Sequence, residues 1–388
     1  MPKAWLLLSS LWFVIVSPSE LLAQSFSLDS QHGFRYQTDQ RNFDLRLGGR
    51  MHLDGGIFEN DQGQMEDDWL WRRLRLSLRM DVYKDWRFSL QYDLEDEEER
   101  YNSLWLRYRG LSRINITLGQ FEEPFGLEQS TSSNAITFME RSLPIELTPG
   151  TNVGIEFSRY ENIWTQELGF FWETYIEDNK PLDVSEGKGL SGRLTRLLSK
   201  NELGLVHMGI SASLRWPDDR DRIRFRSRPE TRLTDVRLIN TGRIRQVERY
   251  LMTGLEGALV YKNLSLQSEY MYTRVDFQRG YGEDESVHGA YIYFSWLLTG
   301  EQRRYKNGVF RDLRIKGKPA WELGLRRSYL DLSGNELNGG REDDITLGLN
   351  AYISDVVRIM FNYIWVDSDA IAGDIDPRIM QMRLQVAI

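Results

Sequence analysis

Residues 73–94 read RLRLSLRMDVYKDWRFSLQYDL. Leu74, Leu76, Leu78, Met80 and Val82 alternate with Arg73, Arg75, Ser77, Arg79 and Asp81. After Tyr83-Lys84-Asp85, Trp86, Phe88, Leu90, Tyr92 and Leu94 alternate with Arg87, Ser89, Gln91 and Asp93. A period of two places all the apolar residues on one face of an extended strand and the charges on the other. Helical spacing does not fit. Two such runs joined by a short polar turn predict an antiparallel hairpin. Phe43 to Asp54 repeats the pattern, with Phe43, Leu45, Leu47, Met51 and Leu53 set against Asp44, Arg46, Arg50, His52 and Asp54.

The rest of the chain says which kind of sheet this is. Met1 to Gln24 reads as a secretory signal: Lys3 gives the positive start, Ala4 to Val16 is a mostly apolar run too short to span a bilayer as a helix, and cleavage is expected after Ala23. No later run is long and apolar enough to span as a helix. The 388 residues contain no cysteine, which excludes disulfides and thiolate metal sites. The formal net charge of −8 argues against a nucleic-acid partner despite many arginines. An exported, cysteine-free, hydrophilic chain with 12% aromatic residues is either soluble or an outer-membrane β-barrel, which needs apolar residues only at alternate positions.

Two features favour the barrel. The polar partners in the strands are repeatedly full charges, mostly arginine. Short turns (83–85, 110–112, 262–263, 354–355) also alternate with long polar segments (95–101, 120–151, 174–188, 331–342), the rhythm of periplasmic turns and outer loops. Further strands are expected near 103–109, 113–119, 152–159, 164–173, 189–197, 203–214, 251–261, 264–274, 287–298, 320–330, 343–353, 356–366 and 378–388. The expected architecture is therefore all-β: a transmembrane antiparallel barrel of about 16 strands over 43–388, after a signal peptide (1–23) and an N-terminal periplasmic segment (24–42). Such a barrel leaves an aqueous lumen. The count requires 216–250 to be one long outer loop. That loop holds RDRIRFRSR, in which Arg220, Arg222, Arg224, Arg226 and Arg228 fall on every second residue. If extended, they share one face at roughly 6.8 Å spacing and form a track of anion sites.

Several passages resemble the phosphate-selective porin O/P family: Arg72-Arg73-Leu74-Arg75-Leu76, Trp86 to Asp93, Gly119 to Gly126, Ser132-Ser133 through Met139-Glu140-Arg141-Ser142, and Pro149 to Gly154. Leu298 to Glu301, Trp321 to Leu323, Leu330 to Leu332 and Arg383 to Ala387 continue the likeness. Together they span nearly the whole mature chain. The resemblance implies a homotrimer with one pore per subunit, residing in the outer membrane among its lipids and lipopolysaccharide and passing small anions such as phosphate. It also implies that a third outer loop, 120–151, folds inward to narrow the pore. Carried over by position, it implies constriction and anion-binding roles for Arg72, Arg73, Asp93, Ser132, Ser133, Thr137 and Arg141, and an arginine track at 220–228; Arg75 joins the constriction by strand parity. Strand parity places Arg73, Arg75 and Asp93 in the lumen and Arg72 on the opposite face. Gln129 and Asn134 stand where phosphate-selective members carry lysines.

Converging guanidiniums would replace part of an anion's hydration shell, and Asp93 would keep any one site from binding too tightly. The acidic run Glu95–Glu99 lacks the spacing of a calcium loop and reads as a solvated loop. His32, His52, His207 and His288 show no metal-ligand spacing, and no cofactor or catalytic group is expected. Tryptophans near strand ends read as an interfacial girdle. The expectation is a passive, anion-selective pore. A weakly selective general porin is the alternative on the same fold, and a barrel adhesin, receptor or enzyme is the alternative of another class.

Overall fold

The computed structural model describes residues 24–388 except 30–32, 39–41, 60–62, 96–100, 174–185, 219–221, 316 and 370–375. The signal segment and Arg220 lie outside the described residues. Sixteen antiparallel strands close on themselves. They are β1 Phe43–Glu59, β2 Asp68–Val82, β3 Trp86–Asp93, β4 Tyr101–Tyr108, β5 Asn115–Glu122, β6 Thr151–Tyr160, β7 Trp164–Trp172 and β8 Lys188–Asn201. Then follow β9 Gly204–Trp216, β10 Val247–Tyr261, β11 Leu264–Phe277, β12 Glu285–Leu297, β13 Ala320–Ser333, β14 Asn338–Tyr352, β15 Val357–Asp369 and β16 Arg378–Ala387.

Closure is between β16 and β1, from Arg378 opposite Glu59 to Ala387 opposite Arg50. Reciprocal Gly49–Ile388 backbone bonds of 2.9 Å finish the seam. A closed barrel leaves no edge for unsatisfied backbone groups, as a bilayer requires. Beyond the seam β1 continues toward its N-terminus and pairs with Gly33–Thr38, which pairs in turn with Gln24–Asp29. The segment before the barrel is thus a hairpin that extends the sheet at the short-turn end.

The wall is inside-out relative to a soluble protein. On β13, Trp321, Leu323 and Leu325 are 42%, 38% and 51% exposed, while Glu322, Arg326 and Ser328 on the alternate face are fully buried. Short turns such as 83–85, 161–163, 202–203 and 262–263 close one end, with Tyr83, Lys84 and Lys262 in the left-handed region. The long connections, 123–150 and 217–246 above all, leave from the other end.

One connection at the short-turn end departs from the expected rhythm. Residues 298–319 carry a hairpin, Arg304–Lys306 paired with Val309–Arg311. Its turn is Asn307-Gly308, at φ 54° and 78°. An Asn-Gly pair is the strongest short-range hairpin signal, and only glycine takes the second left-handed position without strain. The sequence carried that signal, and the apolar-run reading passed over it.

Candidate functional site

A cavity of about 1410 Å³ opens inside the barrel. Its lining carries sixteen arginines and one lysine against ten carboxylates, in a chain whose net charge is −8. The basic charge is therefore concentrated inside. Strand alternation puts Arg50, Arg73, Arg75, Arg79, Arg87 and Arg107 on the cavity side of β1–β4. The register then sets like against like: Arg46 opposite Arg79, Arg50 opposite Arg75, and Arg87 opposite Arg107. Directly opposed like charges weaken a sheet.

Carboxylates relieve part of this. Asp93 takes Arg75 Nε at 2.5 Å, and Asp81 takes Arg87 at 2.6 and 2.8 Å and Arg109 at 3.1 Å. Arg79 makes no hydrogen bond or ion pair among the described residues. Arg50 Nη1 donates to Ser133 Oγ at 2.8 Å, and Arg73 reaches only the His52 ring at 3.4 Å.

Arg72 corrects strict parity. His52 pairs with Arg73 but Leu53 pairs with Trp71, so a β-bulge sets Arg72 and Arg73 together against one partner. Trp71 stays outside, 41% exposed, whereas Arg72 borders the cavity and donates to Glu140 at 2.8 and 3.1 Å.

Segment 123–150 is tied to polar side chains of distant strands. Gly126 N donates to Ser211 Oγ (3.0 Å), and Leu127 N and Glu128 N donate to the Glu269 carboxylate (2.6 and 2.8 Å). Leu143 N donates to Ser328 Oγ (2.8 Å). Three wall arginines coat its carbonyls: Arg358 on Ile136 and Thr137 (2.8 and 3.0 Å), Arg383 on Met139, and Arg326 on Glu140 (3.1 Å). The Phe138 ring lies over the cross-strand glycines 324 and 348, where a Cβ would come within 3.0 and 3.1 Å of it.

Of the residues singled out in this segment, Ser132, Ser133 and Arg141 border the cavity. Arg141 also staples the loop, donating to the carbonyls of Glu128, Gln129 and Thr131 at 3.1, 3.0 and 2.9 Å. Thr137 does not border it. Its hydroxyl is buried against Arg303, so it anchors the segment. Burial would push the Glu140 carboxyl up, but the guanidiniums of Arg72, Arg383 and Arg73 outweigh burial and hold it well below the usual carboxylate range.

In 217–246 the period-two reading holds for the described part. Ile223 pairs with Ile244 and Ser227 with Ile239, and Ile223 and Phe225 bury against Ile239, Ile244 and Tyr250. Arg222, Arg224 and Arg226 take the alternate, half-buried positions. Only Arg228 of the described row borders the cavity, together with Arg232 and Arg237, which the sequence reading did not single out. Glu230 ties this loop to the wall through Arg326, Thr346 and the Gln381 side chain, which donates to its carbonyl at 3.0 Å.

The hairpin 304–311 was also missed as a contributor. Arg193 Nη2 donates to Gly308 O at 2.8 Å, Tyr305 hydroxyl meets His207 Nδ1 at 2.6 Å, and Phe310 packs with Leu127 and Val260. Arg304, Lys306, Arg311 and Arg314 thereby reach the cavity wall. The Asn-Gly turn was the available signal.

Comparison with known proteins agrees with this geometry. The family model described as phosphate-selective porin O and P matches residues 45–388. Porin O of Pseudomonas aeruginosa is 25% identical over 92% of this chain and 91% of its own length. Among solved structures, the anion-selective porin from Comamonas acidovorans superposes with a TM-score of 0.57 at 10% identity, covering 89% of this chain and 100% of that one. The outer membrane channel DcaP of Acinetobacter baumannii gives 0.56 at 9% identity, covering 91% and 99%.

Proposed function

The chain belongs to the phosphate-selective porin O and P family, and from that premise we propose that it is a passive outer-membrane channel selecting small anions, phosphate among them, at an arginine-lined constriction. The observation that carries this is the charge inversion: seventeen cationic side chains against ten carboxylates around the lumen of a chain with net charge −8. The three arginine–arginine cross-strand pairs point the same way, since they oppose sheet stability and add to the lumen's field. In this reading Arg50, Arg72, Arg73, Arg75 and Arg141 face a passing anion, with Ser132 and Ser133 as neutral donors and Asp93 moderating Arg75. Several weak sites in series favour entry without trapping.

Segment 123–150 acts as the inward constriction in this reading. The arginine bonds to its carbonyls and the Phe138–glycine contact support that role. Arg228, Arg232 and Arg237 act as the entrance, and the row at 220–226 as a wider collecting face. The family supports a channel rather than an enzyme.

Three copies associate in this reading. Strands β3 and β5 have eight residues each, short of the roughly 9–11 needed to cross a bilayer, which supports protein rather than lipid covering that wall. Residues 1–23 direct export, and the outer loops meet lipopolysaccharide.

Reversal potential in a potassium chloride gradient across a planar bilayer tests the reading. An anion-directed potential and phosphate block of chloride current are expected. A potential near zero would make this a general diffusion pore instead. No conductance at all would point to a receptor or adhesin.

A further inference from the structure

His52 is fully buried on β1, directly opposite Arg73 on β2. Its Nδ1 lies 3.4 Å from Arg73 Nη1, and its Nε2 lies 3.2 Å from Asn134 Oδ1 in segment 123–150. A guanidinium has only N–H groups to offer, so the first contact requires a lone pair on Nδ1. The ring proton then sits on Nε2, where it donates to Asn134. His52 is thus a neutral acceptor in one tautomer, joining wall to loop. Arg73 makes no ion pair among the described residues, and its Nε is buried without a partner.

The charged groups acting on the ring are Arg383 on β16, Arg73 on β2 and Arg50 on its own strand, while Arg72 on β2 and Glu140 on the loop act on Arg73, and Asp54 lies two residues along the strand. Asp54 and Glu140 are both engaged by Arg383, and Glu140 also by Arg72. Neither carboxylate bonds to the ring.

We propose that His52 is a positioning residue for anion selection, holding Arg73 against the loop through the Nδ1 lone pair. The proposal rests on the anion-channel reading above. Residue spacing alone marks His52 only as one of four isolated histidines.

Sulfate is the probe, because it stays dianionic across the range where phosphate itself titrates. In planar bilayers, sulfate should block the wild-type chloride current. His52→Gln offers Arg73 an oxygen and Asn134 an N–H, and it should keep the wild-type block. His52→Leu offers no acceptor and should weaken block by roughly three-fold or more. Heat-modifiable migration on gels confirms that each variant is a folded barrel. A His52→Gln channel that loses block as His52→Leu does, or a His52→Leu channel that matches wild type, would overturn the role of His52. Sulfate failing to block wild type at any pH would instead overturn the anion-channel reading itself.

Discussion

The two walls of this barrel use the same side chain for opposite ends. On β8–β16, arginine is matched. Arg193 meets Glu256, Arg215 meets Glu123, Arg326 meets Glu230, and Arg383 meets both Asp54 and Glu140, each pair with little or no exposure. The donors left over bind loop carbonyls, so this wall holds the loops in place. On β1–β4, arginine faces arginine across the ladder, and carboxylates are too few to pair them all. What differs is not the guanidinium but the supply of neighbouring carboxylates. A fully buried, paired guanidinium is a structural tie, whereas one that borders a wet lumen without a full complement of carboxylates keeps charge to offer a passing anion.

The comparison breaks first if the matched wall is not structural. Arg326→Met leaves Glu230 buried without its cation and should destabilise the folded barrel by about 3–5 kcal/mol, read by urea unfolding in detergent. Adding Glu230→Gln should restore part of that loss. Loss of anion selectivity without loss of stability in Arg326→Met would mean that the two walls do not differ in kind.

Glu140 sits between the two arginine sets, bonded to Arg72 and Arg383. Glu140→Gln should cost about 2 kcal/mol at neutral pH. Because its folded carboxyl is held below the usual range, its contribution is complete above the unfolded value and disappears as pH falls through the lower folded one. Wild-type unfolding in detergent should therefore change little, on this account, from neutral pH down to the ordinary carboxylate range and weaken below it. Glu140→Gln should lack that acid limb.

On the unmatched wall, Arg50, Arg73 and Arg75 changed together to glutamine should lower the anion-to-cation permeability ratio by about tenfold, equivalent to about 1.4 kcal/mol, with the fold intact. Reversal potentials measure it. The smallest effect is expected for Arg222, Arg224 and Arg226 changed to glutamine, whose side chains do not border the cavity. Selectivity should fall by no more than about two-fold, and chiefly at low salt, where distant charges still steer ions. A larger effect would move the selectivity filter up to the row.

The barrel was legible because its signal is local. Alternation in 73–94 fixes which side of each strand faces lipid, and all sixteen strands of the expected list are present. Arg73, Arg75 and Asp93 follow from parity alone. Arg72 does not, because one bulge residue reverses the alternation and nothing in residues 69–76 marks the place. Thr137 reads like its neighbours Ser132 and Ser133 in sequence, yet it turns away onto Arg303. The loop partner of His52 and the hydrogen-bonded wall partners of Glu230 and of the hairpin at 304–311 lie 82 to 151 residues away along the chain.

By itself, then, the sequence determined the closed sheet and the sign of its two faces, since a period of two is a property of adjacent residues. Only the tertiary structure decided which arginines are neutralised. Pairing depends on register across the ladder and on the loop returning to the wall, and neither is written in the spacing of residues along one strand.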